Sequence, residues 1–425
     1  LSNYTKATNF ASKDSLLTGN PLKIVKGTEI DNEFNAISTA VSTKFDTTAL
    51  AAPGPIGATT PAAISGTTIN GTTGTFTGNV QMASQNGGQL AGLRNKIING
   101  NMGIFQRGTT AVTTTNVYGP ADRWENDGIG DTFSTSQGAF VSGDTLYDTG
   151  GAQFYTQIAV TSVAGANNYY KLQQPIEDVR ILAGQTVTVS FWAKAASGTP
   201  SIALELYQFF GTGGSPSADV PGIGQAQALT TSWAQYTKTF TVPSINGKTI
   251  GTTANTSYTV LGFWLDAGTN FSGVGGRAAG IGTQASKTVS IAQVQVEVGP
   301  VATPFEQRPI GMELALCQRY FQKSYQAGTA PGTNTNLSMI SGYAADATRM
   351  TSAVNRFPVV MRTQPTVQLY SETGSLNLVS TTSGVNTGSS MIANIIGDAG
   401  FPEITGTGLT ANTVVRAHWT ATAEL

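Results

Sequence analysis

The chain has 425 residues, room for two or three domains, with 23 Lys plus Arg against 24 Asp plus Glu and a formal net charge of -1. Charged residues make up 11%, against about 25% in ordinary globular proteins. The basic surface expected of a nucleic-acid binder is therefore missing, and Thr, Ser, Asn, Gln and Gly must carry the surface. One cysteine, Cys317, excludes an internal disulfide and a cysteine-built zinc site. No run approaches the ~18 apolar residues that span a bilayer. The opening LSNYTKATNF lacks the charged-then-apolar pattern of a secretory signal, so the protein is expected either to stay where it is made or to leave by a route other than secretion, of which cell lysis is one.

Residues 1–27 mix small polar residues with scattered apolar ones, among them Tyr4, Phe10, Leu16 and Leu22. They show no period, which predicts an irregular or briefly helical arm docked on something. The alternative is that the arm folds back on its own chain. Over 28–50, Ile30, Phe34, Ile37 and Val41 keep a 4-3-4 spacing, a narrow stripe on one helix face. Asp31 and Glu33 fall in its first turn and Lys44 in its last, as the helix dipole favours, and Pro53 and Pro55 end it. About two heptads is too short for a stable isolated helix. From Thr47 to Leu93 no residue is charged, and eight threonines lie between Thr59 and Thr77. Apolar residues recur only at intervals, at Ile56, Ile64, Ile69, Phe76 and Val80. One copy has almost nothing to bury against itself, so several identical chains wound around a common axis are the simplest solution. The expected object is the stalk of a homotrimeric fibre, with Ile30, Phe34, Ile37, Val41, Ile64, Ile69, Phe76 and Val80 at the trimer interface.

From residue 93 to about 309 the text alternates in period two, with Gly, Asn, Ser and Pro punctuation. Strands are predicted at Thr186–Ala193, Ser201–Tyr207, Trp233–Val242, Tyr258–Leu265 and Thr288–Val298, which indicates an antiparallel sandwich. In the last, Val294, Val296 and Val298 face a core, and Gln293, Gln295 and Glu297 face water or a polar neighbour. Pro309 opens a helix over 310–324 with Leu314, Cys317 and Phe321 on its apolar face. Residues 325–425 return to strands at Pro358–Met361, Thr366–Tyr370 and Val414–Ala421. The expected fold class is mainly β: arm (1–27), coiled coil (28–50), β-structured stalk (51–92), jelly-roll-like sandwich (93–309), linking helix (310–324) and a small β domain (325–425).

Little in the sequence points to covalent chemistry. There is no phosphate-binding loop or nucleophile elbow, and the Gly280-Ile-Gly282 echo of a dinucleotide loop sits in no βαβ unit. His418, the single histidine, is expected to be solvated or at an interface, and Cys317 lies on an apolar helix face where thiols are inert. Glycoside hydrolysis needs two carboxyl groups about 5–10 Å apart. Asp144, Asp148, Glu177, Asp178 and Asp266 are available, but spacing brings no two together. Asp127 and Asp131 flank a glycine turn with too few further ligands for calcium. No catalytic residue, metal or cofactor is expected.

The aromatic residues are more informative. Val187, Val189 and Phe191 share one face of their strand, and Thr188, Ser190 and Trp192 the other. Leu261, Phe263 and Leu265 are likewise opposed to Tyr258, Val260, Trp264 and Asp266. A flat indole beside hydroxyl and carboxylate groups suits a sugar, which makes Trp192, Trp264, Asp266 and Tyr258 the candidate glycan-binding residues. The alternative is that both tryptophans fill a second core layer or a subunit contact. Trp124 in ADRW is expected to be structural, with Asp122 and Arg123 pairing across a turn.

Several blocks resemble a known family. NYTKATNFASKDSLLTGNPLKIVKGTEIDNEFNAISTAVSTKFD is similar to the tail-attachment end of tail fibre proteins from short-tailed (podovirus-type) bacteriophages. NKIINGNMGIFQRG with ADRW resembles the opening of the receptor-binding β-sandwich of phage tail fibres. GPVATPFEQRPIGMELALCQRYFQKSY resembles that sandwich's exit strand and helix, and HWTATAEL is also typical. The chain departs from the common Asn-Phe-Asp-Ile-Trp-Gln-Arg-Gly at 101–108, where Phe105 replaces Trp and keeps the apolar filling. The resemblance implies a trimeric virion protein assembled in the bacterial host cytoplasm. Its N-terminus, through Tyr4, Phe10, Leu16 and Leu22, would join an adaptor or nozzle protein of the tail. Its later domains would meet a host cell-surface glycan or envelope receptor. A glycan-cleaving tailspike and a purely architectural fibre are the other readings.

Overall fold

The computed structural model describes residues 4–42 and 92–425. The expected stalk interface at Ile64, Ile69, Phe76 and Val80, the stalk itself and Lys44 lie outside the described residues.

Residues 4–42 form a short helix at Ala11–Asp14, a single 3-10 turn at Pro21–Lys23 and a helix at Gly27–Ser42. The long helix begins earlier than the acidic pair Asp31 and Glu33 suggested. Glu29 occupies its first turn, accepts the Lys26 N–H at 2.8 Å and pairs with Lys13 at 2.7 Å. Glu33 is buried, with one carboxylate oxygen accepting the N–H groups of Ala7 (3.0 Å) and Thr8 (2.8 Å). Residues 7 and 8 of the arm are thereby tied to the helix within one chain. Tyr4 and Leu22 stay exposed, and Phe10 and Leu16 are half-buried. The stripe Ile30, Phe34, Ile37 and Val41 is 38–64% exposed in the single chain.

Residues 93–309 build a sandwich of two antiparallel sheets. The six-stranded sheet runs, in spatial order, β1 (Val117–Tyr118), β2 (Glu125–Ile129), β5 (Tyr169–Ile176), β10 (Tyr258–Ala267), β7 (Ser201–Phe209), β8 (Gln225–Ala228). The five-stranded sheet runs β3 (Thr132–Ala139), β4 (Phe154–Thr161), β11 (Lys287–Val298), β6 (Thr186–Ala195), β9 (Ala234–Thr241). Alternation decides which residues meet between them. Val187, Val189 and Phe191 from one sheet pack on Leu261, Phe263 and Leu265 from the other. Strand β11 carries a bulge between Ala292 and Gln295, which switches its inward residues from Val289 and Ile291 to Val294 and Val296. Opposite these valines, Gln295 and Glu297 are covered by a polar loop. Glu297 accepts the Thr303 N–H at 2.8 Å, and Gln295 accepts the Glu306 N–H at 2.8 Å.

Pro309 precedes a helix at Ile310–Gln318. The helix is shorter than expected because Phe321 opens a strand, β12 (Phe321–Lys323), not a further turn. The C-terminal sheet is centred on β20 (Val414–Thr422). Around it lie β12, β13 (Ile340–Ala344), β15 (Thr366–Tyr370) and β16 (Val379–Thr381). β14 (Arg349–Arg356), β17 (Asn386–Thr387), β18 (Ser389–Asn394) and β19 (Gly400–Thr407) complete it. Pro358–Met361 is not a strand. Pro358 has no N–H to donate, and the N–H groups of Met361 and Arg362 go to single loop carbonyls of Asp398 and Arg319.

Sandwich and C-terminal sheet are joined through Glu424. Its carboxylate pairs with Arg107 at 2.8 Å and with Arg123, while Tyr118 donates to the Leu425 carbonyl at 2.8 Å. The Arg123 guanidinium lies 3.5 Å over the Tyr320 ring. Arg123 thus pairs with Glu424, not with Asp122, which instead accepts from Gln106 Nε2 at 2.6 Å. Trp124 is fully buried and donates to the Asn99 carbonyl at 3.2 Å, the structural role expected of it.

Candidate functional site

The outward residues of the six-stranded sheet form rows set by strand register. Gln173 (β5) and Glu205 (β7) flank Gly262 (β10), with Glu125 (β2) beyond Gln173. One step along, Lys171, Trp264 and Ala203 stand beside Asp127. In the other direction come Pro175, Val260 and Tyr207, then Tyr258 beside Phe209. Gly262 has no side chain at the middle of this face, and it is buried: a Cβ built there would sit in ordinary contact with Trp264 Nε1 (3.6 Å) and Lys171 Cδ (3.8 Å), whose side chains cover it.

Fixed polar groups surround this centre. Gln173 donates to Glu125 at 2.8 Å, Lys171 pairs with Asp127 at 3.0 Å, and the Tyr169 hydroxyl donates to Asp127 at 2.9 Å. Arg277 reaches in from the loop after β10, pairs with Glu205 at 2.7 Å and lies 4.4 Å over the Tyr207 ring. The Tyr207 hydroxyl donates to Asp219. Tyr258 stacks on Phe209 with centroids 4.7 Å apart. Among the described residues the Tyr258 hydroxyl makes no hydrogen bond. Burial first, then Glu125, Asp219 and Asp127, pushes its pKa up to about 12, so it remains a donor at any physiological pH. Half-buried rings beside hydrogen-bonding groups with fixed neighbours provide stacking surface and directed polar contacts.

The four residues singled out from sequence do not share one place. Tyr258 is half-buried on this face. Trp264 is on the same face but only 1% exposed, so it is not the open platform expected. The loop 268–282 closes over it through Phe271, Ala278 and Ile281, and its Nε1 donates to Glu205 at 2.9 Å. It fills the second apolar layer foreseen as the alternative. Asp266 is buried too, accepting the Ser162 hydroxyl at 2.5 Å and the Ala285 N–H at 3.1 Å. Trp192 lies across the sandwich, half-buried on the outer side of the five-stranded sheet and packed with Phe140, Tyr155 and Trp233.

The remaining candidates are engaged elsewhere. Glu177 holds Arg319 and Tyr320, Asp178 holds Arg180, and Asp144 and Asp148 accept N–H groups of Val141 and Gly143. Asp131 accepts from Val163, whereas Asp127 faces Lys171, so the two do not converge. Among the described residues no group of three or more His, Cys, Asp and Glu is placed to hold a metal. His418 is buried, not solvated: its ring stacks 3.8 Å from Tyr325 and touches Ser324 Oγ and the Thr335 carbonyl, both at 3.0 Å. Burial lowers its pKa and raises that of Cys317. A cleft of about 540 Å³ lies beside Phe105, Phe154, Leu314 and Tyr325. Two of its polar groups are spent internally, Gln106 on Asp122 and Lys323 on the carbonyls of Ala327 and Thr329.

Residues 131–257 match the family model described as a carbohydrate binding domain. The match begins just before β3 and ends at the threshold of β10, so it takes in Lys171, Gln173, Glu205, Tyr207 and Asp219. Solved structures are similar in part. One is the enzymatically active domain of bacteriophage CBA120 tailspike protein 4, with 14% identity over 48% of this chain and 21% of that chain, TM-score 0.27. The chain thus spans about a fifth of that tailspike domain. Another is the family 11 carbohydrate-binding module of Clostridium thermocellum in complex with a β-1,3-1,4-mixed-linked tetrasaccharide (11% identity, 46% and 99% covered, TM-score 0.27). A third is the N-terminal cellulose-binding domain of Cellulomonas fimi β-1,4-glucanase C (17% identity, 44% and 99% covered, TM-score 0.26). No curated protein matches the chain.

Sequence reasoning missed Gln173, Glu125, Glu205, Tyr207 and Arg277. Arg277 comes from a loop with no period and was not readable.

Proposed function

We propose that the sandwich binds a glycan on the outer face of the six-stranded sheet where its side chains reach solvent, around Tyr258, Tyr207 and Gln173. The observation that carries this is the carbohydrate-binding match over residues 131–257, whose strands supply most of the polar groups of that face. Tyr258 and Tyr207 offer ring faces, and Gln173, Glu125 and Arg277 offer hydrogen bonds to hydroxyl groups. The chain's wider role, on this reading, is that of a bacteriophage tail fibre. The segment 1–27 joins the tail, the helix stripe gathers three copies, and the sandwich holds a host-surface glycan without cleaving it.

The test is a glycan array and host-cell binding assay with the full-length chain and its Tyr258→Ala variant, Tyr258 being half-buried on that face. Binding by the parent, lost in a variant that keeps its fold, supports the proposal. Equal binding by both places the ligand elsewhere. Release of reducing ends from a bound polysaccharide would favour a glycan-cleaving tailspike instead.

A further inference from the structure

The cleft of about 540 Å³ beside the helix Ile310–Gln318 plays no part in the sheet-face reading. Its size falls in the range of about 300–1,000 Å³ common to small-molecule sites. Strand alternation supplies two of its residues. Gln137 continues the inward row of Phe133 on β3, and Phe154 that of Ile158 and Val160 on β4, yet both are only half-buried because they border the cleft. Phe105 meets Phe154 edge to face with centroids 5.6 Å apart, and Leu314 of the helix adds aliphatic surface. Residues 327–330 line the cleft too, held by Lys323, which donates to the carbonyls of Ala327 and Thr329. Gly108 (φ +98°) lets the sandwich approach them, since a Cβ there would lie 2.8 Å from the Ala330 Cβ.

The polar lining differs in kind from that of the sheet face. Around Tyr258 most polar groups are bonded to one another. In the cleft the half-buried side-chain amides of Gln137 and Gln318 have no hydrogen-bond partner among the described residues. The Tyr325 hydroxyl accepts the Gly332 N–H at 3.1 Å and keeps its own proton to give. Among the described residues no carboxylate lines the cleft, and its one cation, Lys323, is engaged on loop carbonyls. The lining thus offers aromatic and aliphatic surface, two amides that each donate and accept, a hydroxyl donor and no uncommitted charge.

We propose that this cleft is a second carbohydrate site, for a short uncharged saccharide, with Phe105 and Phe154 as its apolar contacts and Gln137 and Gln318 as its hydrogen-bonding groups. A sugar hydroxyl both donates and accepts, which is the pairing an unpartnered glutamine amide provides. The carbohydrate-binding match favours a sugar over a peptide here, since it includes Gln137 and Phe154. The cleft shares that match with the sheet-face reading and depends on it in no other way. A short ligand makes few contacts, so binding is weak and calls for detection on the ligand.

The experiment is a saturation-transfer NMR titration of methyl glycosides of neutral hexoses and N-acetylhexosamines, with a blocked dipeptide amide alongside. It uses the full-length chain, Gln137→Met/Gln318→Met and Tyr258→Ala. Met keeps the length of Gln, and neither amide holds the fold together, so the double variant should melt with the parent. The expected result is a glycoside bound by the parent and by Tyr258→Ala, and bound at least about tenfold more weakly by the double variant, which has lost up to two hydrogen bonds. No glycoside bound by the parent, equal binding by the double variant, binding lost in Tyr258→Ala, or capture of the dipeptide alone overturns the inference. The sheet-face reading is judged separately, by attachment to arrays and host cells. Attachment lost in Tyr258→Ala and kept in the double variant leaves that reading standing whatever the glycosides do. Attachment kept in Tyr258→Ala and lost in the double variant removes it and leaves the cleft.

Discussion

Replacing Glu424 with Gln tests the joint between sandwich and C-terminal sheet. The Glu424 carboxylate is 9% exposed and the Arg123 side chain 1% exposed, so the pair is almost fully removed from water. Burial works against the Arg123 charge, and Glu424 together with Tyr320 and Tyr118 more than restores it, holding its pKa above the ordinary value. With Gln there, Arg123 keeps one hydrogen bond to the Pro175 carbonyl at 2.8 Å and the Tyr320 ring at 3.5 Å, and the negative charge that both Arg123 and Arg107 face is gone, leaving one amide oxygen for the two of them. Breaking a buried pair by removing one member costs about 3–5 kcal/mol. The retained carbonyl and ring contacts place Glu424→Gln at the lower end, about 3 kcal/mol. Urea unfolding monitored by tryptophan fluorescence reads this, since Trp124 adjoins Arg123 in the sandwich and Trp419 reports on the C-terminal sheet. If an orphaned charge is the cause, adding Arg123→Met to Glu424→Gln should recover stability to within about 1 kcal/mol of the parent. A double variant no better than the single, or a single variant within about 0.5 kcal/mol of the parent, would refute the reasoning.

Trp264→Ala should unfold the sandwich's outer layer at a cost of about 3–5 kcal/mol, seen as a lowered thermal midpoint and poor soluble yield. A well-folded variant that merely loses attachment would return Trp264 to the ligand surface. Tyr258→Ala, at a half-buried position, should cost little stability and weaken glycan binding at least about tenfold, measured by isothermal titration. Asp131 is raised from 3.8 to about 6, by burial and then, against a Val163 N–H bond, by Asp266 nearby. The folded state therefore holds this proton more tightly than the unfolded chain. The stabilisation is fully present below pH 3.8 and is lost as pH rises through about 6. Asp131→Asn should flatten that part of the thermal midpoint–pH curve, and an unaltered curve would remove Asp131 as its source. Phe34→Asp with Val41→Asp should convert a particle of three chain masses to single chains in light scattering, and a parent already single in solution would sink the trimer.

What the sequence revealed tracks how local each cause is. The inward sets Val187, Val189, Phe191 and Leu261, Phe263, Leu265 were legible because strand alternation is a two-residue property, and the structure packs them together. Alternation also says which residues point away from the core, but not whether they reach solvent. Trp264 points outward and is buried because a loop some ten residues later in the chain returns over it. His418 has the same history, closed in by Tyr325 and Thr335. The match between Arg123 and Glu424 joins residues 301 apart in sequence, beyond any pattern within one strand. Phe321 shows the limit in the other direction. Helical spacing from Leu314 and Cys317 includes it, yet pairing with β20 takes it into a strand.

These two kinds of surface fit a division of labour on the proposed fibre. The face around Tyr258 is built on one sheet, and most of its polar groups are already hydrogen-bonded to one another, so a sugar gains only the surplus over bonds to water. A single such site is expected to be weak. The exposed stripe at Ile30, Phe34, Ile37 and Val41 is where weakness can be offset, since joining three copies makes the second and third contacts effectively intramolecular. Effective concentrations in the millimolar range then raise avidity by about 10²–10⁴-fold without a new contact. The two surfaces should therefore separate under mutation. The Phe34→Asp/Val41→Asp chain should keep the parent's affinity for a soluble oligosaccharide and lose attachment to a glycan-coated surface, whereas Tyr258→Ala should weaken both. If disrupting the stripe also abolishes oligosaccharide binding, the site is assembled between copies, and one sheet face is not enough to form it.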